Sequence, residues 1–477
     1  MERPSAARRN ERPAMTAGTV FALATPAGRS GIAVFRISGP QAGAALRALT
    51  GRDLPAPRCA ARRRFRKPDR PVDPSPKPST GPSDVIDDGA IDDGAIDDGL
   101  ALWFPAPASF TGEDVAELHV HGGPAVIAAL AEALRALGLA PAEPGAFTRR
   151  AFDHGKLDLT EVEGLADLIA AETEAQRRQA LRQLEGALGR RIESWRAALI
   201  GALAHIEASI DFSDEDLPAG LVESVDEAMA VVAGEIARAL DDRHRGERLR
   251  EGLSVVILGA PNAGKSSLLN RLAKREAAIV SAEAGTTRDV IELHLDLGGY
   301  PLVLADTAGL RETESAVESE GVRRALQRAA GADLKIVVLD ATAWPDLPEA
   351  SRAQIDAATI LVLNKADLRT GPLPGVPSAA IPISAKTGAG VDDLVAELGR
   401  RAGTLMASGD QPAMTRARHR AALDDCARFL GQGLRAEAVE LKSEELRLAV
   451  RALGRITGRV DVEEVLDRIF GEFCIGK

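Results

Sequence analysis

Two glycines, Gly259 and Gly264, bracket Ala260, Pro261, Asn262 and Ala263 and are followed at once by Lys265, Ser266 and Ser267. Residue types in this spacing suit a chain of phosphates. The glycines let backbone N–H groups turn inward around phosphate oxygens, Lys265 reaches the β and γ phosphates, and the Ser266 hydroxyl holds Mg²⁺. Such a loop works only between a strand that delivers it and a helix whose positive end faces the anion. Both are legible here. The apolar run over 255–258 reads as a short buried strand, and Leu268, Leu269 and Leu272 resume at helical spacing.

Further segments follow in a fixed order. Gly285-Thr286-Thr287-Arg288-Asp289 lies in a polar stretch where a threonine hydroxyl can complete the Mg²⁺ shell. A strand over 302–305 leads to Asp306-Thr307-Ala308-Gly309, whose aspartate would hold the metal through water and whose glycine N–H can meet the γ-phosphate. A strand over 335–339 carries no chemistry. The next, over 359–363, ends in Asn364-Lys365-Ala366-Asp367, where a carboxylate can accept the ring N–H and exocyclic amine of guanine. The last, over 380–383, ends in Ser384-Ala385-Lys386, whose backbone N–H can meet the guanine carbonyl. Each could be ordinary loop chemistry. Together, in order and at strand ends, they point to a guanine-nucleotide site on a doubly wound α/β domain.

Hydrolysis needs an oriented water. The residue after Asp306-Thr307-Ala308-Gly309 is Leu310, which cannot orient one. Asn262 could ligate a monovalent cation and so supply positive charge at the phosphates. The stretch 311–320 holds Glu312, Glu314, Glu318 and Glu320, and spacing alone prefers none of them.

The elements around this module belong to a larger chain. With 477 residues, 45% hydrophobic and 27% charged, it is long enough for about three domains. No apolar run is long enough to span a membrane, and the first residues lack the apolar core of a secretory signal, so a cytoplasmic protein with no membrane partner is expected. Cys59, Cys426 and Cys474 are too few and scattered for a disulfide framework or a thiolate metal site. A net charge of -11 argues against coating nucleic acid by bulk electrostatics, so any RNA contact is local or shared with a partner.

Residues 1–15 read as a disordered tail. From Thr19 two strand-like segments flank a Gly/Pro turn, and a helix is expected near 41–49. Residues 55–99 break the pattern, with a basic run over 62–67, six prolines over 68–82, and a pentapeptide repeated as VIDDG-AIDDG-AIDDG. The repeat lacks the alternating carboxylates and terminal glutamate of a calcium loop and reads as a duplicated surface loop leading into a strand over 100–104. His119 and His121 alternate on the next strand. With no third ligand visible, they read as a satisfied strand face rather than a metal site.

Amphipathic helices are expected over 160–187, 190–211 and 221–246, and again over 416–434, 444–454 and 462–470. The later helices are too few to bury a core alone. They are expected to pack on the earlier ones, which makes the nucleotide module an insertion. The expected division is an N-terminal α+β domain over 16–135 with a low-complexity insertion at 66–99, a discontinuous helical domain over 136–250 and 403–477, and a G domain over 251–402.

Beyond the nucleotide motifs, the segments ATPAGRSGIAVFRISG, LALWFPAPASFTGEDVAELHVHGGPAV, RRAFDHGKLDLTEVEGLADLI and the terminal FCIGK closely resemble the MnmE (TrmE) family of tRNA modification GTPases. The resemblance covers 16–477 apart from 66–95. It implies a homodimer whose N-terminal domain is similar to tetrahydrofolate-binding domains. It also implies an FAD-dependent partner, called MnmG or GidA, in a heterotetramer or larger complex. With tRNA as substrate and 5-formyl- or methylene-tetrahydrofolate as one-carbon donor, the pair would add an aminomethyl or carboxymethylaminomethyl group at carbon 5 of the wobble uridine.

Residue by residue, the resemblance implies nucleotide contacts from Asn262, Ala263, Gly264, Lys265, Ser266 and Ser267, and from Ser281, Ala282, Glu283, Ala284, Gly285, Thr286 and Thr287. It extends them to Asp306, Thr307, Ala308 and Gly309, to Asn364, Lys365 and Asp367, and to Ser384, Ala385 and Lys386. Mg²⁺ maps to Ser266 and Thr287, K⁺ to Asn262, Ser281, Glu283 and Thr286, and the catalytic pair to Glu318, which orients water, and Lys265. Folate contacts map to Arg36, Glu117, Lys156 and Lys477, which suit a carboxylate tail and a pterin.

Two departures stand out. Pro144-Gly145-Ala146-Phe147 has alanine where the family's loop has glutamate, and Ser281 and Glu283 replace commoner residues of the cation loop. Two rival functions remain at this point: a ribosome-assembly GTPase switch that binds RNA, and a folate-binding protein with a vestigial G domain.

Overall fold

The structure, a computed structural model, describes residues 18–26, 28–68, 94–211, 221–275, 278–279, 292–305, 331–345, 355–369, 371, 375–407 and 413–460, with single positions and short stretches from 466 onward. The chain divides into two compact units, Met1–Val162 with Asp461–Lys477, and Glu163–Val460.

The first unit is a six-stranded sheet. Its elements are β1 (Val20–Leu23), β2 (Ser30–Ser38), α1 (Ala42–Thr50), β3 (Ala61–Arg66), β4 (Ala95–Phe104), β5 (Val115–Gly122), α2 (Pro124–Ala136), β6 (Ala140–Pro141) and α3 (Ala146–Asp153). The strand order is β3-β4-β5-β2-β1-β6, antiparallel except where β6 runs parallel to β1. Alternation places Phe35, Ile37, Ala116 and Leu118 on one face, where they pack with Leu46 and Leu49 of α1 and Leu130 and Leu134 of α2.

The basic run is a strand, not part of a pattern-free stretch. Phe65 is fully buried while its arginine neighbours point out, and β3 pairs antiparallel with β4. The strand expected from residue 100 begins at Ala95, so the last pentapeptide copy enters the ladder. Asp98 meets Arg64 at 3.1 Å, and Asp97 accepts the His121 N–H at 2.7 Å.

The second unit joins helices to a second sheet. The helices are α4 (Leu159–Ala170, which begins at the end of the first unit), α5 (Glu174–Leu184), α6 (Ala187–Asp211), α7 (Leu221–Leu240) and α8 (Arg245–Glu251). The helix expected over 160–187 is two helices. Thr173 starts the second, since its hydroxyl accepts the Gln176 N–H while the Gln176 side chain returns to the Thr173 N–H.

The sheet-bearing segment contains β7 (Leu253–Leu258), α9 (Lys265–Ala273), β8 (Ala278–Ile279), β9 (Glu292–Leu297), β10 (Tyr300–Ala305), β11 (Leu334–Asp340), β12 (Thr359–Asn364), β13 (Ile381–Pro382) and α10 (Val391–Met406). The order β13-β12-β11-β7-β10-β9-β8 is parallel from β13 to β10, and β9 and β8 add antiparallel at the edge. The chain then returns through α11 (Ala417–Arg435) and α12 (Val439–Thr457). Their Leu423, Leu430, Leu446 and Leu453 share one core with Ile192, Trp195, Leu199 and Ile206 of α6 and Met229 and Ile236 of α7. This core is built from two stretches separated in sequence by the whole second sheet.

Candidate functional site

The nucleotide loop runs from the end of β7 to the start of α9. Gly259 and Gly264 have φ of 147° and 98°, and a side chain at either would collide: a Cβ would lie 2.2 Å from the Val338 carbonyl at Gly259, and 2.0 Å from Asn364 Nδ2 at Gly264. Asn262 is also left-handed, at φ 61°. The Leu268 N–H closes the first intrahelical bond to Gly264 at 2.9 Å, so helix geometry leaves the N–H groups of the first turn without intrahelical acceptors, as anion binding needs. The Lys265 ammonium donates to the carbonyls of Gly259 at 3.0 Å and Ala260 at 2.9 Å and so lies folded over the loop. Ser266 and Ser267 are exposed in that first turn, and the Ser266 hydroxyl suits a hard cation such as Mg²⁺.

Two more loops converge on it. Asn364, buried at the end of β12, donates from Nδ2 to the Ala263 carbonyl at 2.8 Å and accepts the Ala385 N–H on Oδ1 at 2.9 Å. The Ala366 N–H donates to Ile383 at 3.0 Å, and Arg271 of α9 donates to the carbonyls of Ala385, at 3.2 Å, and Lys386. Ser384 is buried and Asp367 is exposed on a short turn. The phosphate loop and both base loops are thereby brought to one end of the parallel sheet.

Ser281, Ala282, Glu283, Ala284, Gly285, Thr286 and Thr287, together with Asp306, Thr307, Ala308, Gly309, Glu318 and Lys477, lie outside the described residues. Sequence reasoning did not single out Arg271. Arg271 is half-buried on α9, where spacing carries no signal of its reach. It also missed β9, although Gly298-Gly299 between two alternating segments is a hairpin signal.

In the first unit, Arg36 and Glu117 are register partners on β2 and β5. Arg36 donates from Nε at 3.1 Å and from a terminal nitrogen at 2.9 Å to Glu117 Oε1. The guanidinium lies 5.9 Å from the Phe110 ring centre and 5.7 Å from that of Phe147, and also donates to Gly476 at 3.4 Å. Lys156 donates to the Pro107 carbonyl at 3.1 Å. Hydrogen-bond donors, a carboxylate and two aromatic rings are thereby gathered around Arg36. His121 Nδ1 meets Asp97 Oδ1 at 2.8 Å and His119 Nε2 meets Glu117 Oε2 at 3.5 Å, so both ring systems have carboxylate neighbours.

Comparison with known proteins decides the family. The model of the MnmE helical domain matches residues 159–474, and that of the GTP-binding protein TrmE N-terminus matches 19–156. The chain belongs to the MnmE family of tRNA modification GTPases. The MnmE of Paramagnetospirillum magneticum is 57% identical over 461 residues, covering 96% of this chain and 99% of that one. The MnmE of Parvibaculum lavamentivorans is likewise 57% identical, covering 96% and 100%. Among solved structures, the G domain of the T. maritima FeoB iron transporter matches 32% of this chain and 98% of its own at 26% identity, with a TM-score of 0.24. As an MnmE family member the chain is a GTPase of tRNA modification, with a TrmE N-terminal domain, a helical domain and a P-loop G domain. Among the described residues, no helix is long and apolar enough to cross a membrane.

Proposed function

We propose that this GTPase is K⁺-stimulated and homodimeric, acts in the cytoplasm, and works with an FAD-dependent partner of the MnmG/GidA kind. Together they add an aminomethyl or carboxymethylaminomethyl group at carbon 5 of the wobble uridine of certain tRNAs. Identity to MnmE proteins along nearly the whole chain carries this reading, because the N-terminal and helical parts match as well as the G domain.

Within it, Ser266 and Thr287 hold Mg²⁺, which neutralises phosphate charge. Asn262, Ser281, Glu283 and Thr286 hold K⁺, which supplies the cationic charge that an arginine supplies elsewhere. Lys265 contacts the phosphates, and Glu318 orients the attacking water, a task that Leu310 cannot perform. Asp306, Thr307, Ala308 and Gly309 face the γ-phosphate, while Asp367, with Ser384, Ala385 and Lys386, reads guanine. Arg36, Glu117, Lys156 and Lys477 take 5-formyl- or methylene-tetrahydrofolate, and the Arg36–Glu117 pair, with Arg36 near the rings of Phe110 and Phe147, supports that assignment. The nucleotide cycle reshapes the dimer, and the folate and flavin supply the one-carbon chemistry.

The test is GTPase rate in KCl against NaCl, with and without the flavin partner, beside wobble-uridine analysis of a deletion strain. Faster turnover in KCl and loss of the modified uridine are expected. Normal modified uridine with accumulated ribosomal precursors would overturn the reading.

A further inference from the structure

The two carboxylate oxygens of Asp340, at the end of β11, have different partners. Oδ1 accepts the Thr342 N–H at 2.9 Å and the Thr342 hydroxyl at 2.6 Å, capping a short 3-10 turn over Ala341–Ala343. Oδ2 accepts the Lys365 ammonium at 2.7 Å. Asp340 stands opposite Asn364 in the register of β11 and β12, so the lysine it holds is the residue next to the one that ties the three loops together. Lys365 has a left-handed backbone, φ 63°, which a lysine keeps only where its surroundings hold it. Arg369 braces the same corner by donating to the carbonyls of Ala341 at 2.6 Å and Trp344 at 3.0 Å. Burial opposes the charge of Asp340, and Lys365 and Thr342 outweigh it, holding the carboxyl below its ordinary value.

We propose that Asp340 is a positioning residue for the guanine nucleotide, pinning Lys365 so that its methylene stem is already placed to cover the face of the base. The inference rests on the guanine-site reading above. A free lysine stem must give up rotamer freedom when it packs on a ring, and a stem fixed beforehand has less to give up. The stem meets the ring face, which guanine and hypoxanthine share, whereas the exocyclic amine that separates them faces Asp367. Loss of the Asp340 charge therefore weakens both nucleotides by one factor and leaves discrimination between them intact.

Asp340→Asn keeps an acceptor for the Thr342 turn and removes the charge that faces Lys365. Stopped-flow displacement of mant-GDP and mant-IDP from the full-length protein reads the effect. Release of both is expected to quicken by about fivefold, the upper end of what a partly exposed ion pair contributes. Thr342→Val, which removes one bond to Oδ1 and spares the ion pair, is expected to release both at the wild-type rate. In a Lys365→Met background, Asp340→Asn is expected to add nothing. The proposal is overturned if Asp340→Asn leaves both rates unchanged, if Thr342→Val speeds release as much, or if the effect persists without the lysine. A wild-type protein that binds neither nucleotide overturns the guanine-site reading instead.

Discussion

The side-chain amide of Asn364 donates to the Ala263 carbonyl at 2.8 Å, across 101 residues of chain. Its oxygen accepts the Ala385 N–H, so one buried residue fastens the phosphate loop to both base loops. Asn364→Ala leaves a buried carbonyl and a buried N–H without these partners, at about 1–3 kcal/mol each. GDP affinity, measured by calorimetry, is expected to fall by at least about tenfold, and the unfolding temperature is expected to drop with it.

Asp367 sits exposed one turn beyond Asn364, on the 3-10 segment Ala366–Leu368. An amide there offers donors where guanine also presents donors, while xanthine presents a carbonyl in place of the amine. Asp367→Asn is expected to weaken GDP by about tenfold or more and to admit XDP. Parallel titrations with the two nucleotides check this, and unchanged preference for GDP would remove Asp367 from the guanine-reading role.

Glu163 and His419 are both fully buried, with His419 Nε2 2.8 Å from Glu163 Oε2 and Arg418 Nε 2.6 Å from Oε1. Burial opposes the Glu163 charge, but His419 and Arg418 outweigh it and hold the carboxyl well below the usual range. Burial lowers His419 despite its carboxylate neighbour, and its Nδ1 has no hydrogen-bond partner among the described residues, as suits a bare lone pair on a neutral ring. Both groups thus bind protons more readily when unfolded, so stability rises with pH across their windows. On acidification it is expected to fall first below about pH 6.5 through His419, then below about pH 4.3 through Glu163. Urea unfolding from pH 8 to pH 3 measures this, and His419→Gln is expected to remove the first decline. Glu163→Gln is expected to cost about 3–5 kcal/mol at pH 7.5, since Arg418 and Arg416, 3.2 Å from the same carboxylate, keep their charge.

Cys426 is buried in the helical core and its thiol is pushed up to about 12 by burial and the Asp425 charge, while Cys59 is exposed. Alkylation needs an accessible thiolate. Iodoacetamide followed by peptide mapping is expected to label Cys59 in the native protein and Cys426 only after denaturation. Labelling of native Cys426 at the rate of Cys59 would mean that the helical core opens readily.

Much of the site was readable because its signals are local. Gly259, Gly264, Lys265 and Ser266 lie within eight residues, and each strand of the parallel sheet is a short apolar run. The basic strand β3 was not readable as a strand. One buried Phe65 among arginines makes an alternation too thin to see until its partner β4 supplies the ladder.

Residue type and spacing alone determined that the chain carries a phosphate loop, the order of the loops around it, and the helical stretches on either side. Those properties depend on backbone periodicity and on neighbours a few residues away. Tertiary structure alone decided which groups meet. Asn364 finds Ala263, Asp340 finds Lys365, and Glu163 finds His419 at a separation of 256 residues. Such pairs are set by strand register and helix packing, because a buried polar atom keeps its place only where the fold brings it a partner.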